Sequence, residues 1–150
     1  MAASTAPKYT PRQILDKFYE AERIYTLASA EERTFEPIAA VLADDFYMEQ
    51  SSALPWAGEY HGPQQFEAWL KQASEWVGID VKDVEIFENN ESNRIVVLSK
   101  IYHTCHKTGE KIDLPLSQTF IVDREKGVIK EIRPFYWDIK KLNKAMGYNG

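Results

Sequence analysis

The stretch that most limits what this chain can become runs from Asn93 to Asp138. Three runs rich in Val, Ile, Thr, Tyr and Phe, at Arg94–His106, Lys111–Asp123 and Val128–Trp137, are divided by two short polar turns. Each turn ends in or is followed closely by a glycine, Gly109 or Gly127, the residue that takes a positive φ without strain. The spacing predicts an antiparallel meander of three long strands. Strands about twice the usual length do not lie flat; they twist and coil, so one face becomes concave.

The two-residue period of a strand sorts the side chains by face. One set holds Val97, Ser99, Ile101, His103 and Cys105. It continues as Leu114, Leu116, Gln118, Phe120 and Val122, then as Val128, Ile132, Pro134 and Tyr136. Each row is apolar apart from one or two hydrogen-bonding groups. The opposite set contains Val96, Leu98, Tyr102, Ser117, Thr119, Ile121, Arg133 and Trp137, still too apolar for plain solvent. A sheet greasy on both faces needs a second cover, and a homodimer through the outer face is the expectation.

A length of 150 residues suits one domain, expected over 11–150 behind a disordered leader at 1–10. Hydrophobic content of 44% and a net charge of −5 place the chain among globular proteins and make nucleic acid an unfavoured partner. One cysteine allows no internal disulfide. With no apolar signal core and no membrane-length apolar run, the expected location is cytoplasmic, with no membrane partner.

Upstream of the meander the pattern is helical. Thr10-Pro11-Arg12-Gln13 reads as a capped helix start, and Ile14, Phe18, Ala21 and Tyr25 make one apolar stripe to about Ala28. Thr34 is the expected cap of a short helix through Leu42, ended by Asp44-Asp45. Phe46–Ser51 reads as a strand with Phe46, Met48 and Gln50 on one side, and Ser52–Tyr60 as a loop in which Trp56 covers a pocket mouth. Gly62-Pro63 opens a third helix to about Val77, stopped by Gly78; Val81–Phe87 reads as a strand. Asp138 caps a last helix to Met146. Helices first and a mostly antiparallel sheet after make the class α+β.

This order, with Leu42-Ala43-Asp44-Asp45-Phe46, Gly58-Glu59-Tyr60-His61-Gly62 and Arg133-Pro134-Phe135-Tyr136-Trp137-Asp138, resembles the nuclear-transport-factor-2-like superfamily over roughly residues 11–147. Within it the chain is most similar to the SnoaL-like branch of polyketide cyclases and small-molecule isomerases. The resemblance implies a cone-shaped barrel, a strongly curved, mostly antiparallel sheet wrapped around N-terminal helices, with ligands bound inside. Against the related ketosteroid isomerases, the positions matching their two catalytic carboxylic acids are Gln50 and Gln118. Both are amides here, which implies that the ketosteroid proton shuttle is absent.

Inside such a cone His103 is the candidate acid or base, because imidazole exchanges protons near neutral pH. Its structural alternative is a core histidine satisfied by a neighbour. Asp138 shares parity with Tyr136 and is a candidate to orient His103, set against the stronger reading as a helix cap. Tyr136 and Tyr19 are candidate donors to a developing oxyanion. Gln50 and Gln118 are candidate carbonyl binders, and Met48, Trp56, Ile101, Leu116 and Phe120 the expected apolar walls. A Cys105–His103 nucleophile pair is disfavoured, because residues two apart on a strand lie about 7 Å from each other. His106 faces outward, away from His103, so no metal site is expected, and no phosphate loop or dinucleotide fingerprint calls for a cofactor.

Two functions remain open at this level. One is a cofactor-independent isomerase, cyclase or dehydratase acting by acid–base catalysis on an apolar polyketide or terpenoid. The other is a non-catalytic ligand-binding or association module on the same fold.

Overall fold

A computed structural model describes residues 8–150, so most of the expected leader lies outside the described residues. Its last two residues are tied down. The Tyr9 N–H donates to the Arg124 carbonyl at 3.0 Å, and Thr10 caps helix α1 (Pro11–Leu27). The capping box is complete: the Thr10 hydroxyl accepts from the Gln13 N–H, and the Gln13 side chain accepts from the Thr10 N–H.

The elements that follow are a 3-10 turn (Ala30–Glu32), α2 (Glu36–Ala39), β1 (Leu42–Gln50), β2 (Gly58–His61), α3 (Gly62–Trp76), β3 (Val77–Glu88), β4 (Arg94–Cys105), β5 (Lys111–Asp123), β6 (Val128–Tyr136) and α4 (Ile139–Met146). They form one six-stranded sheet in the order β2-β1-β6-β5-β4-β3. All neighbours are antiparallel except β1 and β6, which run parallel. The sheet is strongly curved but not closed into a barrel: β2 and β3 are its two edges. The architecture is α+β, with α1 and α3 covering the sheet.

Four local expectations are corrected. The short helix is α2 alone; Phe35, not Thr34, holds its N-cap position, and no side chain caps it. Val41 and Leu42 leave it for the sheet, where the Ile129 N–H donates to the Val41 carbonyl at 2.8 Å, and cross-strand pairing overrides a weak helical pattern. The loop after β1 turns back at Gly58 to make β2, which pairs with Tyr47–Gln50. Gly78 does not stop α3; it lies within β3, paired with Thr104. A methyl group at Gly78 would fall 2.3 Å from Leu27 Cδ2, so glycine lets the end of α1 approach β3. Finally, the register shifts after Ile121, so that Val122 faces Ile129. The inward residue at the start of β6 is therefore Ile129, fully buried, and not Val128.

The inward rows of β4 and β5 match the alternation: Val97, Ile101, His103, Cys105, Leu114, Leu116, Gln118, Phe120 and Val122 are all buried. Curvature has an identifiable source in β3, where the register slips between Lys82 and Glu85 and Asp83 takes a φ of 56°. Two residues there oppose Ser99 alone, and a bulge of this kind bends the strand and increases its twist.

Thr26 fastens α1 to that bent edge. Its hydroxyl, wholly buried, accepts the Ile79 N–H at 2.8 Å. Thr26→Val removes that acceptor at nearly constant volume and leaves the N–H orphaned, with an expected loss of about 1–3 kcal/mol in urea unfolding. An unchanged midpoint would show that the two elements are held by packing alone.

Candidate functional site

Between α1, α3 and the concave face lies a cleft bounded by side chains from every strand but β2. Apolar groups dominate: Phe18 from α1, Phe66 and Trp69 from α3, Ile79 from β3, Ile101 from β4 and Leu116 from β5. Four polar side chains interrupt them: Glu22, Gln50, Gln118 and Tyr136. The space between atoms is about 370 Å3, yet the part open to the centre of a water molecule is only about 20 Å3, room for about one water. The cleft is collapsed on its own side chains.

The polar groups are arranged as two phenol–amide pairs. The Tyr19 hydroxyl donates to Gln118 Oε1 at 2.5 Å. On the other side the Tyr136 hydroxyl donates to Gln50 Oε1 at a long 3.4 Å, and Gln50 Nε2 reaches only the Met48 sulfur at 3.5 Å. Both amide oxygens are thereby engaged, while the Gln118 amide N–H groups have no acceptor among the described residues. Trp69 adds a buried indole N–H with no partner. Burial raises the Tyr19 phenol well above its ordinary range, with the Glu22 charge adding and Arg12 opposing. Burial and Glu22, in that order, do the same to Tyr136, against the Trp56 and Gln50 side chains.

Glu22 is the residue that the periodicity argument passed over. It sits four residues after Phe18 and eight after Ile14, so it falls on the apolar stripe of α1, beside Ala21. A charged residue on such a stripe is the signal that exposes it. Its side chain is buried, and no hydrogen bond or ion pair reaches it among the described residues. Desolvation alone pushes its carboxyl from an ordinary 4.5 up to about 8.

The expected site residues divide. Gln50, Gln118, Met48, Ile101, Leu116 and Tyr136 line the cleft. Tyr19 acts through Gln118, and Phe120 packs edge-on against Phe18 and Tyr19 just behind the wall. Trp56 is fully buried and so does not stand at an open mouth. His103 is buried behind Tyr136, with ring centroids 6.5 Å apart, and does not border the cleft. Neither of its ring nitrogens has a partner, and burial pushes it from 6.5 down to about 4, so it is neutral at pH 7. Asp138 does not orient it: the Asp138 carboxylate accepts the Lys141 N–H at 2.9 Å and caps α4. Among the described residues no group of three or more His, Cys, Asp or Glu converges as a metal site, and no helix is long and apolar enough to cross a membrane.

No family model matches the chain, and no curated protein matches it. Solved structures do. An NTF2-like protein from Burkholderia xenovorans LB400 is 22% identical, with 90% of this chain and 94% of that one covered and a TM-score of 0.69. A candidate polyketide cyclase from Xanthomonas campestris pv. campestris is 18% identical over 89% of this chain and 93% of its own, with a TM-score of 0.67. TerC, co-crystallized with polyporic acid, is 13% identical over 95% and 99%, with a TM-score of 0.74. The chain has the NTF2-like cone fold. At these identities the likeness extends to the fold and no further.

Two buried ionisable groups give opposite pH dependences. The raised Glu22 carboxyl favours the folded state fully below pH 4.5, and that contribution is lost as pH rises through 8, up to on the order of 4 kcal/mol. The depressed His103 favours the folded state above pH 6.5 and loses roughly 3 kcal/mol as pH falls through 4. Urea unfolding at pH 5, 7 and 9 should therefore show Glu22→Gln more stable than the parent at pH 9 and equal to it at pH 5. His103→Gln should flatten the loss of stability between pH 6.5 and 4. Parallel curves for parent and variants would mean that these groups reach water.

Proposed function

We propose that the chain is a SnoaL-like, cofactor-independent enzyme that isomerises, cyclises or dehydrates a small apolar, oxygen-bearing metabolite of polyketide or terpenoid type by acid–base catalysis. The observation that carries this reading is the cleft's polarity: a few convergent hydrogen-bonding groups on an otherwise apolar wall, the usual character of a small-molecule site. Amide N–H groups of Gln118 and Gln50 would hold the oxygen on which charge develops, with the Tyr19 and Tyr136 phenols fixing the amides' orientation. Apolar packing by Phe18, Phe120 and Trp69 would keep water from competing for those contacts. Because the resting cleft has room for about one water, substrate entry requires its lining side chains to move apart. His103, neutral and behind Tyr136, supports the phenol by packing and is not the proton carrier.

The second reading, a ligand-binding module without chemistry, is favoured by the amides at positions 50 and 118, where the related isomerases carry acids. Incubation with a panel of polyketides and terpenoids, followed by comparison of chromatographic retention and proton NMR spectra with a blank, separates the two, because an isomer keeps the substrate's mass. New compounds are expected, and Gln118→Ala should lower kcat/KM on the order of a hundredfold. Ligand recovered bound and unaltered across the panel would select the binding module.

The outer face supports a homodimer. Leu98 and Phe135 flank Ser117 across three strands, and Val96 stands opposite Phe87; Leu98 is 43% exposed and Trp137 77% exposed. Light scattering at tens of micromolar should give twice the chain mass, and Leu98→Glu should halve it. A parent already at the monomer mass would end this assignment.

A further inference from the structure

We infer that Glu22 is the proton-transferring residue of this cleft and that its substrate is an uncharged, enolisable carbonyl compound. The inference rests on the acid–base reading above and deepens it by naming the residue and the ligand class.

The geometry starts from α1. Glu22 lies on the buried stripe between Phe18 and Tyr25, and its side chain lines the cleft with Gln50, Gln118 and Tyr136. Among the described residues it is the only carboxyl there. No cation of the described residues lines the cleft with it, and the nearby Arg23 is turned outward and paired with Glu20 at 2.6 Å. A buried carboxyl without a counter-ion or hydrogen-bond partner contributes nothing to folding at neutral pH and is retained at a cost, the mark of a working group.

Side chains from five of the packed elements bring polar groups to its surroundings. Tyr19 comes from α1, Gln50 from β1, His103 from β4 behind Tyr136, Gln118 from β5 and Tyr136 from β6, while α3 and β3 present Phe66, Trp69, Ile79 and Val81. None of these carries a positive charge at neutral pH, since His103 is neutral there. The site therefore has no partner for an anionic ligand. It also offers hydrogen-bond donors: the Gln118 amide and the Gln50 amide bound only to sulfur. Donors call for an acceptor oxygen, and this favours a carbonyl over an ammonium ligand.

The step balances within one carboxyl. One Glu22 oxygen gives its proton to the carbonyl oxygen, whose C=O π pair becomes the new O–H bond. The electron pair of the adjacent C–H bond becomes the C=C bond, and the released proton is taken by the other Glu22 oxygen. The carboxylic acid is regenerated, the ketone has become its enol, and nothing is oxidised or reduced. With the carboxyl pushed up to about 8, it holds its proton at neutral pH and remains basic enough to take one back.

The test uses the full chain with 2-tetralone as the uncharged ketone and benzylamine as the cationic control. Carboxyl-labelled glutamate followed by carbon NMR should show one resonance with a midpoint near 8, absent in Glu22→Gln. The ketone should raise that midpoint by favouring the protonated acid. In deuterated buffer, exchange at the carbon next to the carbonyl should be faster than in a protein-free blank. That acceleration should fall on the order of a hundredfold or more in Glu22→Gln and be partly kept in Glu22→Asp. A midpoint near 4.5, or one that benzylamine lowers while the ketone leaves it unmoved, overturns the inference. Exchange undiminished in Glu22→Gln overturns Glu22 alone and leaves acid–base catalysis standing. No acceleration by the parent removes both.

Discussion

The structure depends on one burial: the apolar stripe of α1 laid into the hollow of a curled sheet. Ile14, Leu15, Phe18 and Tyr25 leave water together, and in doing so they roof inward rows that include Val97, Ile101, Leu116 and Phe120. Each buried aliphatic or aromatic side chain contributes about 1.5–3 kcal/mol of transfer free energy, so this contact outweighs any single polar interaction in the chain. The bulge at Asp83 and the glycine at position 78 serve the same contact, one by bending the sheet edge and the other by letting Leu27 come close.

That roof has a consequence for charge. Once α1 is seated, Glu22 is buried and no ion pair reaches it among the described residues. It costs stability at neutral pH while lining the cleft with one phenol, Tyr136, and two amides. The ion pairs of the protein lie elsewhere, such as Lys100–Asp113 and Lys130–Asp45 on the surface, where water screens them and their worth is small. The interior is thus polar where it is least compensated, and the exterior ion pairs do little to define the fold. Unpartnered buried atoms also lie beside the cleft, on Trp69 in its wall and on His103 behind Tyr136. The arrangement places a stability deficit at the cleft, as working sites commonly do.

Much of the architecture was legible from local pattern. The meander was readable because long alternating runs meet at glycine-containing turns, and β4 and β5 bury the residues that alternation assigns. The cap at Thr10 and the cap at Asp138 were readable because the chemistry of a helix end is local. The start of β6 was not, since a one-residue register shift moves Ile129 inward in place of Val128 and depends on pairing with Val122. The strand β2 was hidden because Gly58–His61 carries no alternation of its own; its existence comes from the hydrogen-bonding edge that β1 offers.

The amino-acid sequence by itself determined the periodicities: which side chains share a strand face or a helix stripe, and where helices begin. These follow from backbone geometry over a few residues. Only the tertiary structure decided that His103 lies behind Tyr136 and that Asp138 serves a backbone N–H. It also decided that Glu22 is buried in the cleft without a partner among the described residues. The reason is that solvation and pairing belong to atoms brought together from distant positions, and no spacing along the chain encodes which groups will be left dry side by side.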